Sequence, residues 1–163
     1  MASYAETLLE FYRSEVRGEA IYSALLSLAR SDDERLKWGT LLQLETETKA
    51  WLRAPMVAHG VNIAEQSDDR DEGIALAEQF KSLPWRVQME GLHDAIANDI
   101  IPRYQSHADA ARERGAVDQE AVCLYMVEHE KAQVEFTERE LAGTSTDRSL
   151  EPLEKFLKYP IRR

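Results

Sequence analysis

The sequence predicts an all-α protein. Apolar residues recur three and four apart through most of the chain, Gly and Pro are few at 7 and 5 of 163 residues, and no stretch alternates apolar with polar residues as a half-buried strand does. An apolar share of 44% and a charged share of 31% suit a globular chain leaning towards helix. The periodic stretches come as two helices, a long connection and two further helices, the connectivity of a four-helix bundle with one crossover. A single domain over residues 1–163 is expected, long enough to bury a core.

Helix one is predicted over residues 4–29, where Leu8, Leu9, Tyr12, Val16 and Leu26 keep helical spacing and no Pro intervenes. Ser31-Asp32-Asp33-Glu34 is a polar break that offers capping residues to the next helix. Helix two runs from about Glu34 to Arg53 behind Trp38, Leu41, Leu42 and Leu52, and should stop near Pro55. Residues 54–84 form the crossover: His59-Gly60 terminates, the acidic run Gln66 to Glu72 is expected as a solvated loop, and Ile74 to Phe80 fit a short helix.

Helix three starts near Pro84, a good first-turn residue, with Trp85, Met89, Leu92, Ile96 and Ile100 on one stripe. Pro102 should kink or break it, and the pattern resumes through Ala108 to Arg114 before Gly115. Asp118 can cap helix four, which extends to about Leu141. The tail, about 144–163, carries Leu150, Leu153, Phe156 and Leu157 and fits a short packing helix.

The net charge of -10 argues against nucleic-acid and anionic-membrane partners, both of which need basic patches. No basic segment followed by an apolar one opens the chain, and no apolar run has the length of a membrane span. A cytoplasmic protein is therefore expected. Cys123 is the only cysteine, which excludes an intrachain disulfide and a thiolate metal cluster. On its apolar helix it reads as a small hydrophobe. An acidic helical bundle of this size is compatible with a homodimer, though no patch names an interface.

The residues that carry chemistry are acids in the wrong place. On a helical wheel, Glu19 falls within the stripe of Tyr12, Val16, Ser23 and Leu26, and Glu45 within that of Trp38, Leu41, Leu42, Leu52 and Met56. Burying either is costly. With the turn centred near Asp32, the two lie equally far on either side, roughly 20 Å along the axis at the usual helical rise. They are expected to face each other inside the bundle. Such a pair must share a proton, hold a cation, or be neutralised by a basic side chain, for which Arg103, Lys49 and Lys131 are the candidates. An oxygen-rich site with at most one imidazole suits iron or manganese better than zinc.

The stretches Arg17-Gly-Glu19-Ala-Ile-Tyr and Leu44-Glu45-Thr-Glu47-Thr48-Lys49 resemble the first two helices of the ferritin-like superfamily, which includes rubrerythrins and bacterial aldehyde oxygenases. The stretch from Asp99 through Gly115 to Glu130 resembles the third and fourth helices of rubrerythrins. The resemblance implies a ferritin-like bundle and a di-iron site built from one Glu on each of two helices and a Glu-x-x-His pair on each of the others. This chain departs from that pattern: Thr48 stands three residues after Glu45 and Lys131 three after Glu128, so both histidines are replaced.

Counting levels from a turn near Gly115 brings Asp99, Glu128 and His129 to the height of the pair, with His129 on the apolar stripe of Val122, Tyr125, Ala132 and Phe136. The expected metal ligands are thus Glu19, Glu45, Asp99, Glu128 and His129. A rival register uses Glu90 and His93, a true Glu-x-x-His, although Glu90 lies off the stripe. His107 falls towards the bundle end and His59 in a loop; Ser23 and Ser27 line the inner face of helix one. Three functional classes remain open: a ferritin-like oxidoreductase or oxygenase acting on a small molecule, a metal-free binding or structural module, and an enzyme using a Glu of raised pKa as general acid or base. Tyr12, Tyr22, Trp38 and Tyr125 are either cavity lining or plain core.

Overall fold

The computed structural model describes residues 3–161 and is all-helical among them. The helices are α1 (Tyr4–Ser27), α2 (Asp32–Ala58), α3 (Ser67–Phe80), α4 (Trp85–Ala95), a π-helical segment (Ile96–Ile100), α5 (Ile101–Glu113), α6 (Val117–Leu141) and α7 (Thr146–Glu154). They fall into two compact units. One holds the described residues of 1–83 and 157–163, the other Pro84–Phe156.

In the first unit α1 and α2 form a hairpin and α3 packs on α1. Ser3 and Glu6 close a capping box: the Glu6 N–H donates to Ser3 Oγ at 3.3 Å and the Ser3 N–H to the Glu6 carboxylate at 2.6 Å. Ser31 caps α2 by accepting from the Glu34 N–H at 3.1 Å, and Asp32, Asp33 and Glu34 suit the positive end of the helix dipole. The hairpin core joins Leu8, Phe11, Tyr12 and Val16 to Leu41, Leu44, Leu52 and Met56, all buried. Burying such side chains contributes about 1.5–3 kcal/mol each.

Three expectations are corrected here. Helix two passes through Pro55 to Ala58. Pro55 removes one ladder bond within the last turn, and Gly60 at φ 68° ends the helix as the Val61 N–H donates back to Met56 O at 2.8 Å. The acidic run is not a solvated loop. From Ser67 it forms α3 and turns Asp69 inward, 1% exposed, onto Arg13 at 2.9 Å and Arg17 at 3.2 Å. Close approach of α3 to α1 is possible because residue 73 is Gly: a Cβ there would lie 2.5 Å from Arg17 O and 2.8 Å from the Ala20 Cβ. Finally, Ser23 and Ser27 are exposed, the inner face of α1 being centred on Phe11, Tyr12 and Val16.

The segment 157–161 belongs to this unit. The N–H groups of Lys158 and Tyr159 both donate to the Glu47 carboxylate, at 2.5 and 3.1 Å, tying it to α2.

In the second unit α6 packs against α4, α5 and α7. Pro102 breaks the regular ladder without ending the rod. A wider turn precedes it, in which the Ile101 N–H donates to Ile96 O, five residues back. The extra residue shifts the helical phase by one position. A continuous stripe through Ile96 would bring Arg103 and His107 inward; Tyr104, Ala108 and Ala111 are the buried residues of α5. At the far end of α6, Trp85 Nε1–H donates to Glu140 at 2.9 Å, and α7 covers the helix with Leu150 and Leu153.

Candidate metal centre

Glu45 is 3% exposed, as its place on the α2 stripe requires. The acid that meets it is Glu15, 0% exposed, with a carboxylate oxygen of each within 4.8 Å of the other. Glu15 stands one turn before Glu19 on α1. The cause is the turn: α1 ends at Ser27 and α2 begins at Asp32, so the hairpin centre lies near Ala29 and Arg30 rather than at Asp32. Moving the centre by two residues moves the partner on α1 by about one turn, which keeps the same face. The stack of Tyr22 on Trp38, with centroids 5.9 Å apart, has the same register.

Gly18 clears the space into which Glu45 reaches. A Cβ on Gly18 would overlap the Glu45 carboxylate, so a side chain at residue 18 would force that acid to shift.

Glu19 occupies a different layer, one turn away. Its carboxylate accepts from Thr46 Oγ1 at 2.7 Å, from Arg70 at 3.0 Å and from Lys49 Nζ. Lys49 also donates to Glu65 at 2.6 Å, and Arg70 to Glu65 at 2.6 and 2.8 Å. Burial pushes the Glu19 pKa up, but the bonds from Lys49 and Thr46 outweigh it and hold the carboxyl below its ordinary value. For Lys49, burial works downward and the bonds to Glu19 and Glu65 win, leaving the ammonium above its ordinary value. Glu65 is lowered, chiefly by its bond from Lys49.

In the second unit His129 is fully buried on α6. Its Nε2 lies 3.1 Å from Gln133 Nε2 and 3.9 Å from Glu130, itself 3% exposed. Its ring meets the edge of Phe156 at 6.4 Å. Glu128 points outward and accepts from Lys131 at 2.8 Å. Asp99, within the π-helical segment, is exposed and accepts from Arg103 at 3.3 Å. The rival residues do not converge on each other: Glu90 is exposed and paired with Arg86 at 2.9 Å, while His93 lies 3.3 Å from Asp94 and 3.6 Å from Glu138. Tyr12, Tyr22 and Trp38 are core, with Tyr12 donating to Ile63 O at 2.8 Å, while the half-buried Tyr125 packs edge-on to Phe156. Burial pushes the Cys123 thiol up to about 11, which leaves it a poor nucleophile.

Sequence reasoning missed Glu15 and Glu130. Glu15 carried a signal, since Leu8, Phe11, Tyr12, Glu15 and Val16 complete one stripe at helical spacing. No family model, curated protein or solved structure matches the chain.

Proposed function

We propose that this chain binds a divalent cation, iron or manganese, through Glu15 and Glu45, and serves as a ferritin-like oxidoreductase or oxygenase for a small molecule. One observation carries the reading: two carboxylates from neighbouring helices meet in a buried layer. Hard oxygen donors suit these metals, and Gly18 leaves room for Glu45 to reach in. Iron held there would supply one-electron chemistry towards dioxygen or peroxide. The residues themselves orient the oxygens, and their burial excludes water.

The test is calorimetric and thermal. Anaerobic Fe(II) or Mn(II) should raise the melting temperature of protein purified without chelator, because an ion that binds only the folded state stabilises it. Glu45→Gln should abolish the rise. No shift with either ion ends the reading; metal binding without oxidation of bound iron by oxygen ends its redox half. A second reading, a metal-free binding or structural module, is favoured by Lys49 and Arg70 on Glu19, a balanced ion cluster that needs no metal.

A further inference from the structure

We propose that the connection between α2 and α3 is a lid on the hairpin, latched by the Glu65 carboxylate, which opens while α1, α2 and α3 stay folded. The lid stands without the metal reading above.

No residue from Gly60 to Gln66 is buried, so apolar packing holds this stretch only weakly. Beyond the Val61 N–H that closes α2, it is anchored to the described residues at two points. The Tyr12 hydroxyl donates to Ile63 O at 2.8 Å. The Glu65 carboxylate accepts from Lys49 Nζ at 2.6 Å and from Arg70 at 2.6 and 2.8 Å. The ionic anchor is the stronger, since Lys49 is buried and its bond holds the Glu65 carboxyl below its ordinary value.

Release of Glu65 leaves the helices joined. Lys49 and Arg70 both keep Glu19, to which Thr46 also donates, so α1, α2 and α3 stay tied when Glu65 swings out to water. The stretch carries bonds of its own that move with it: the Ala64 N–H donates to Asn62 Oδ1 at 2.9 Å and Gln66 Nε2–H to Ala64 O at 3.3 Å. Both ends can pivot, for Gly60 has φ 68° and Gln66 starts α3 without a side-chain cap. Tyr12 lies one turn before Glu15 and Lys49 one turn after Glu45, so the open lid admits water or a small solute to the layer beside those acids.

Thermolysin digestion of the full chain in dilute urea, with the cuts located by mass spectrometry, tests this. The protease should cut before Val61 and Ile63 when the lid is open, while α1 and α2 stay intact. Wild type should be cut there slowly, at a rate that does not change across dilute urea, because a local opening exposes little surface. Glu65→Gln should be cut there about tenfold faster, again independently of urea. Arg70→Gln removes one donor from a half-buried side chain; it should give a smaller rise and decides the matter where Glu65→Gln folds poorly. Cleavage at the wild-type rate in these variants overturns the latch. Cleavage that climbs with urea as steeply as global unfolding overturns the lid, and so does a wild type cut as fast as an unfolded chain.

Discussion

Two acidic layers lie one turn apart on the α1–α2 hairpin, and they are built on opposite principles. In one, Glu19 and Glu65 meet Lys49 and Arg70, every charge is answered, and polar atoms from three helices and a connection converge. In the other, Glu15 meets Glu45, like against like, deeper in the core. A protein can afford the second only if something offsets the repulsion, and evolution of the fold would otherwise favour a leucine there. The first layer ties the hairpin to α3 and its connection; the second is the one on which the proposed metal reading rests.

The largest effect should come from breaking the balanced layer. Lys49→Met removes the buried cation that Glu19 and Glu65 share and leaves Arg70 alone to answer both acids, and should cost about 3 kcal/mol in urea unfolding. Glu15→Gln in the absence of metal should cost less than Lys49→Met if the proposed metal role is what keeps an acid at this position. Equal losses in the two variants would erase the distinction between the layers.

Next come the two glycines. Gly73→Ala drives a Cβ into backbone at Arg17 and should cost about 1–3 kcal/mol by separating α3 from α1. Gly18→Ala meets only the end of the Glu45 side chain, so it should cost less stability and more metal affinity. Reversed costs would show that Gly18 serves packing rather than the site.

The pH dependence sharpens the contrast further. Glu19 and Glu65 lie below their ordinary values when folded, so their contribution is full above the ordinary carboxylate value of 4.5 and is lost as pH falls through the lowered ones. Lys49 lies above 10.5, so its contribution is full below that value and fades as pH rises past it. In Glu19→Gln the acid limb of the stability curve should flatten. The smallest effect is local. Glu47→Gln should leave the melting temperature nearly unchanged while amide exchange at Lys158 and Tyr159 quickens about tenfold.

Much of this was legible in the sequence. The helical class, the glycine stops at Gly60, Gly115 and Gly143, and the inward face of Glu45 all follow from periodicity and turn chemistry. The partner of Glu45 did not, because a wheel fixes which face a residue takes and not its height. A small error in the centre of a turn slides one helix past the other by a whole turn and leaves every face looking correct. The structural role of Glu65 and Arg70 was hidden for a different reason. Their neighbours Asp68, Asp69, Asp71 and Glu72 make the region look solvated, and only tertiary contact shows that Asp69 is neutralised by Arg13 and Arg17.

The wide turn before Pro102 has its own consequence. The rod from Trp85 to Glu113 behaves as an α-helix that has taken in one extra residue and absorbed it on the spot, so that Met89 and Ile96 before it and Tyr104 and Ala108 after it still share a face. A variant lacking Asn98 would keep both halves in phase. It would, however, thrust the Pro102 ring against a carbonyl four residues back, which the wider turn now spares. Length here is tolerant of change only as far as the proline allows.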